Sequence, residues 1–237
     1  LMLYRERAPH NAVYDKIAKR YVASETFRPC FLKPDAAHYL TQLRSVAEDI
    51  LPAAASWIAH FPSYSGPPVP TRDVTKETPR TVLSAIRNNL AIEIKYQSLS
   101  RPEPRWRWIA PHAIGFDGFR WHARAFCQID QSYKDFLPAR DVDVRGFKPN
   151  DVEPGSDTDR KEEITLEIGS HSELSEPQAK VIALDYSMRG KTKIKVHRAL
   201  LYDAQRRLGL DTDPNARRPE EQQIVLLNRE VVDENYR

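Results

Sequence analysis

Two cysteines, Cys30 and Cys127, are all that 237 residues carry. Their isolation excludes a disulfide framework and a CxxC motif, so a reducing cytoplasm is the expected compartment. No apolar run approaches the ~20 residues that cross a bilayer, and the first residues lack a signal-peptide pattern, so no membrane partner is expected. There is no glycine-rich phosphate loop, no GxSxG, no HExxH and no acidic pair placed for two-metal chemistry. The expectation is therefore not an enzyme. His112, His122 and Cys127 lack zinc-ligand spacing, so neither a metal nor another cofactor is expected. The net charge is only +3, which confines any basic character to local patches.

What is present is a chain with 41% hydrophobic and 29% charged residues and 18 prolines. Such a chain can bury a sizeable core and divides into two or three small domains. Its start is locally basic. Leu1 to Arg7 reads as the end of a helix stopped by Pro9, and Val13 to Val22 as two short strands around a polar turn. A helix end followed by a basic hairpin has the form of a winged-helix tail, and a plain basic surface hairpin fits as well. Pro34-Asp35 opens a helical pattern with Tyr39, Leu40, Leu43, Val46, Ala47 and Ile50 on one face, ended by Pro52. Trp57 to Val69, with Pro67-Pro68, has no clear period. Thr78-Pro79 predicts a second helix start, Thr as N-cap and Pro at the first helical position, with Val82, Leu83, Ile86 and Leu90 as its stripe.

From Ala91 the period becomes that of strands. Ile92, Ile94 and Tyr96 share a face, and Arg105 to Ile109 alternates before Pro111. Asp117-Gly118 between apolar residues predicts a two-residue type I′ hairpin. The strand after it puts Trp121, Ala123, Ala125 and Cys127 on one face and Arg120, His122, Arg124 and Phe126 on the other. One face can pack, and the other presents an imidazole and guanidinium groups suited to an anion. One helix and about five short strands fit a small twisted barrel. Lys148 to Glu163, acidic and proline-bearing, reads as an interdomain linker. The remainder alternates: strand Ile164–Ile168, a capping box at Ser175 to Gln178 opening a helix through Tyr186, strand Lys193–Val196, helix Arg198–Leu208 stopped by Gly209, and strand Gln223–Val232. This is a βαβαβ unit.

Tyr96-Gln97-Ser98, Arg107-Trp108-Ile109-Ala110-Pro111-His112, Arg120-Trp121-His122-Ala123-Arg124, Asp135-Phe136 and Arg140 together resemble the WYL-domain transcriptional regulators of bacteria. Trp-His-x-Arg in place of Trp-Tyr-Leu is similar to the subgroup that represses phage-defence operons of the BREX and CBASS types. The resemblance implies an α+β chain in five parts: the end and wing of a winged helix-turn-helix (1–32), a helical linker (33–77), an Sm-like WYL barrel (78–148), a linker (149–162) and a C-terminal α/β extension domain (163–237). Most of the helix-turn-helix is expected to precede Leu1. The implied function is a homodimeric regulator, expected to be a repressor, that grips operator double-stranded DNA and senses an anionic effector, nucleic acid or nucleotide, in the WYL domain. The implied effector residues are Tyr96, Ser98, Arg107, His122, Arg124 and Arg140. Asp141, where many relatives have an apolar residue, and Pro138 depart from the pattern.

Arginine suits phosphate because its planar fork donates two parallel hydrogen bonds and stays charged. Lys16, Lys19 and Arg20 on the hairpin would touch DNA phosphates without reading bases. The competing reading pairs the barrel arginines with Glu93, Glu103 or Asp135 as a solvated face. Trp121 and Cys127 are expected in the core, and Trp106 and Trp108 as structural residues rather than base platforms. An accessory nucleic-acid module without a regulatory role, or a scaffold meeting an acidic partner, are the alternative functions.

Overall fold

The computed structural model describes residues 2–235 apart from 32, 34, 59, 68, 69 and 71–73. Expectations placed on Leu1, Pro34, Pro68 and Val69 lie outside the described residues. The chain divides into two compact units, 1–70 and 71–237.

In the first unit, α1 (Met2–Arg7) precedes an antiparallel pair, β1 (Ala12–Asp15) and β2 (Arg20–Ala23). Asp15 shapes the turn: its Oδ1 accepts from Ile17 N at 2.8 Å and Ala18 N at 2.9 Å. Those two amides hold its carboxyl below the ordinary aspartate value. Lys19 takes the left-handed conformation that a two-strand turn demands, φ 50°. Tyr14 and Tyr21 face each other across the pair with centroids 5.2 Å apart. Buried Asn11 ties the unit together by donating to Tyr4 Oη at 2.8 Å and accepting from Arg28 N at 2.9 Å. Helix α2 (Ala36–Ala47) begins on Asp35, which accepts from His38 N. Of its predicted stripe only Leu43 is buried, while Leu40 and Ile50 are exposed. Ile50 lies beyond the last helical turn and no longer shares its face.

The second unit starts with α3 (Glu77–Asn88), which begins one residue before Thr78 and has no side-chain cap. Thr78 is instead buried in the first turn with its hydroxyl 3.0 Å from Thr75 Oγ1. Its buried stripe is Thr78, Val82 and Ala85, and Leu83 is exposed. Asn89 closes it in the left-handed region. Five antiparallel strands follow: β3 (Leu90–Tyr96), β4 (Arg105–Phe116), β5 (Trp121–Cys127), β6 (Ser132–Phe136) and β7 (Asp141–Pro149), in the order β6-β5-β4-β3-β7. The expected barrel form is met by a sheet that, among the described residues, has no ladder joining β6 to β7. Strand β4 does not stop at Pro111. It passes through, because the register breaks between Pro111 and Ala113 and a bulge tolerates the missing amide. The hairpin is not the predicted two-residue turn either. Only Gly118 has positive φ, and Asp117 Oδ1 accepts from the amides of Phe119 and Arg120, giving a four-residue loop. The core is Val82, Ala85, Ile92, Ile94, Tyr96, Ile109, Ala123, Ala125, Cys127 and Phe136.

Residues 149–162 hold a 3-10 turn and the short α4 (Thr158–Lys161). Beyond them β8 (Glu163–Ser170) lies between β10 (Ile224–Leu226) and β9 (Lys191–His197), all antiparallel. α5 (Glu176–Asp185) opens on the predicted capping box, and α6 (Leu201–Leu208) stops at Gly209. The predicted final strand is cut short. Asn228 accepts from Glu167 N at 2.9 Å and donates to Thr165 O at 2.8 Å, satisfying the β8 backbone in place of another strand residue. The chain then turns into α7 (Arg229–Glu234). Among the described residues no helix is long and apolar enough to cross a membrane.

A candidate anion-binding groove

At one end of the five-stranded sheet, β3, β4 and β6 with the loops after β3, β5 and β6 line a groove of about 300 Å³. Four of the six predicted effector residues line it: Tyr96, Ser98, Arg107 and Arg140. Tyr96 is fixed from below, its hydroxyl accepting from Leu137 N at 3.2 Å and its ring meeting Phe136 edge-on. Arg107 lies over that ring at 5.6 Å and is 6% exposed. Its Nη1 is 3.7 Å from Asp130, and its Nε is buried without a hydrogen-bond partner. Ser98 shapes the loop by accepting from Arg101 N at 3.1 Å.

Three charged lining residues carried no sequence signal: Arg101, Asp130 and Lys134. Asp130 faces Arg101, Arg107 and Lys134 at 3.5, 3.7 and 2.9 Å. The Lys134 ammonium holds its carboxyl below the ordinary range. With Arg140, four cations and two carboxylates, Asp130 and Asp135, line the groove, a surplus of positive charge beside a buried Nε that lacks an acceptor.

The other two predicted residues are elsewhere. His122 and Arg124 point from β5 to a face that is covered, and both are buried. Arg124 Nε and Nη2 donate to the two oxygens of Asp157 at 2.8 and 3.0 Å. Nη2 also donates to Asp159 and Nη1 to Asp135, each at 3.1 Å. His112 Nε2 is 3.0 Å from Asp157 as well. Burial pushes the Asp157 carboxyl up, but Arg124 and His112 outweigh it and the net direction is down. Burial likewise lowers His112 against the pull of Asp157. His122 Nε2 is 3.1 Å from Asp117. The open arginine face expected from alternation is therefore corrected: acidic residues of the following linker occupy it. The rival expectation of an ion pair with Asp135 is met at Arg124, while Glu93 pairs with Arg145 and Glu103 with Arg105.

Other expectations divide. Cys127 is fully buried, but Trp121 is 59% exposed, at the strand's first position, and packs on Phe116 at 4.7 Å. Trp106 and Trp108 are covered by Arg145 and Lys148 at 3.8 and 4.5 Å from their rings. Asp117, His122 and Asp203 converge as metal ligands could. Arg120 already bridges the two carboxylates, at 2.8 and 3.6 Å, and supplies the positive charge there. Lys16, Lys19 and Arg20 are exposed on the β1–β2 hairpin.

Asp141, opposite Tyr96 in the β3–β7 register, has a buried, unpartnered Oδ1, and burial pushes its carboxyl up to about 7. Its folded value exceeds the unfolded one, so its stabilising contribution is complete below about pH 4 and is lost as pH rises through 7. Asp141→Asn is expected to gain stability over wild type at pH 8 and to lose that advantage at pH 4. Urea midpoints at the two pH values check it.

Three family patterns match this layout: the winged helix-turn-helix domain of the BrxR transcriptional regulator over residues 1–45, the WYL domain over 77–140, and the BrxR C-terminal dimerization domain over 163–232. The DNA-binding transcriptional repressor CapW of Stenotrophomonas maltophilia is 34% identical, across 98% of this chain and 78% of its own length. The chain belongs to the CapW family of WYL-domain transcriptional repressors. CapW of Pseudomonas aeruginosa is 31% identical and CapW of Escherichia coli 30%, each across 97% of this chain and 77% of the relative. In this CapW-family chain the groove lies in the WYL domain and the Arg124 cluster lies where that domain meets the segment leading to the dimerization domain.

Proposed function

We propose that this chain acts in the cytoplasm as a homodimeric repressor that binds operator DNA and releases it when an anionic effector, a nucleotide or a short single strand, enters the groove of Tyr96, Ser98, Arg107 and Arg140. The observation that carries the reading is Arg107: a buried guanidinium whose Nε has no acceptor, in a groove lined by three further cations. An unsatisfied buried donor costs about 1–3 kcal/mol, and an incoming phosphate oxygen removes that cost. The buried Tyr96 ring beneath it holds the guanidinium in place through a cation–π contact. The effector must prefer the dimer arrangement that does not fit the operator, since equal affinity for both arrangements shifts nothing.

The test is fluorescence anisotropy of a labelled 5′-phosphorylated single strand at two salt concentrations, wild type against Arg140→Ala. Salt-sensitive binding that weakens in the variant supports the groove. Binding that is absent, or indifferent to Arg140, sinks it. On the operator side, Lys19→Ala is expected to weaken binding uniformly across DNA sequences and to reduce the salt slope by about one. Titrations on operator and scrambled duplexes check this, and a loss confined to the operator would contradict a backbone role.

A further inference from the structure

Asp135 belongs to two places at once. It lines the groove, and on β6 it sits opposite Arg124 of β5, accepting from Nη1 at 3.1 Å. On its other side Arg124 holds Asp157 through both oxygens, and Asp159, at the N-terminal end of α4. The chain enters β8, the central strand of the C-terminal sheet, at Glu163. One buried guanidinium thus serves three carboxylates, two of them on the linker and one on the groove wall.

We infer that Arg124 is a positioning residue that couples the groove to the C-terminal domain, so that neutralising Asp135 on the groove wall tightens the grip of Arg124 on the linker. This deepens the reading of the groove as the effector site and rests on it for its regulatory meaning. The sign follows from charge. Three carboxylates around one guanidinium leave an excess of negative charge, with Asp157 buried, Asp135 largely so and Asp159 at the solvent edge. Burial already pushes the Asp135 carboxyl up. An anion in the groove raises the cost of its charge further and favours proton uptake. Arg124 then answers only Asp157 and Asp159, with one repulsion removed. Charged and titratable groups near this cluster on neighbouring elements are His122 of β5 and Asp203 of α6, which act on Asp135, and Arg160 of α4, which acts on His112. None stands between Arg124 and the linker oxygens, which it contacts directly.

Amide hydrogen exchange on the full ligand-free chain tests the coupling in wild type, Asp135→Asn, Arg124→Gln and the double variant. Asp135→Asn is expected to slow exchange over residues 157–163 by about 3-fold, and to change it by less than about 1.5-fold when Arg124 is already Gln. A linker that ignores Asp135→Asn, or responds equally without Arg124, overturns the inference. Asp159→Asn, at the solvent edge of the cluster, guards against a double variant that does not fold. It is expected to lower the Asp135 pKa, read by carbon NMR, by about half a unit or more, and an unmoved value overturns the coupling. A separate arm adds a 5′-phosphorylated hexathymidylate. Its binding is expected to slow exchange over 157–163 in wild type but not in Arg124→Gln; binding without that difference overturns the inference. Failure to bind removes the groove reading alone, because the ligand-free exchange decides the coupling.

Discussion

Arg107→Ala is expected to weaken binding of a phosphorylated single strand about 100-fold, the loss of about 3 kcal/mol that a charge-assisted, two-pronged contact supplies. Arg107 is the deepest cation of the groove, and its guanidinium is held over the Tyr96 ring and beside the Asp130 carboxylate. That pre-orders the fork, so little side-chain freedom is lost when an anion arrives. Arg101 and Lys134 are far more exposed, so each is expected to contribute less. Anisotropy titrations at constant salt measure the loss, with operator affinity of the ligand-free protein as the control. In a reporter strain, Arg107→Ala is expected to keep the operon shut under conditions that induce wild type. An affinity loss below about 3-fold would place the effector elsewhere.

Arg124→Ala is expected to destabilise the fold by about 3–5 kcal/mol at pH 7, the cost of breaking a buried ion pair from one side. The remaining Asp135, Asp157 and Asp159 would face one another without the guanidinium that contacts all three. The pH dependence identifies the cause. In wild type the Asp157 carboxyl is depressed, so its contribution is present above the unfolded aspartate value, about 4, and is lost as pH falls through the folded value. Without Arg124, burial of Asp157 is opposed by His112 alone, and its folded pKa is expected to rise above the unfolded one. The sign then inverts, and stability is regained as pH falls toward about 4. Urea midpoints at pH 7 and pH 5 are expected to show a gap between wild type and variant that narrows at pH 5. A gap independent of pH would mean that lost packing, and not charge, is responsible.

The strand and helix order, the barrel's apolar alternation, the capping box at Ser175 and the stop at Gly209 were legible in the sequence, because each is set by neighbours a few residues apart. The motif set grouped Tyr96, Ser98, Arg107 and Arg140 with His122 and Arg124, and the sheet brings only the first four to one groove. Local rules failed where a side chain found a distant or competing partner. Asp117 spent its carboxylate on the loop amides and replaced the predicted tight turn, and Asn228 ended the last strand by bonding to β8.

Period-two alternation correctly placed His122 and Arg124 on one face of β5 and could not say what covers that face. The tertiary structure alone decided it, by folding Asp157 and Asp159 back from a linker 33 and 35 residues away to meet Arg124. A strand pattern determines which way a side chain points, since that depends on backbone geometry alone. Whether a buried guanidinium meets a ligand or a carboxylate of its own chain depends on which long-range contact satisfies the charge, and no spacing in the sequence encodes that.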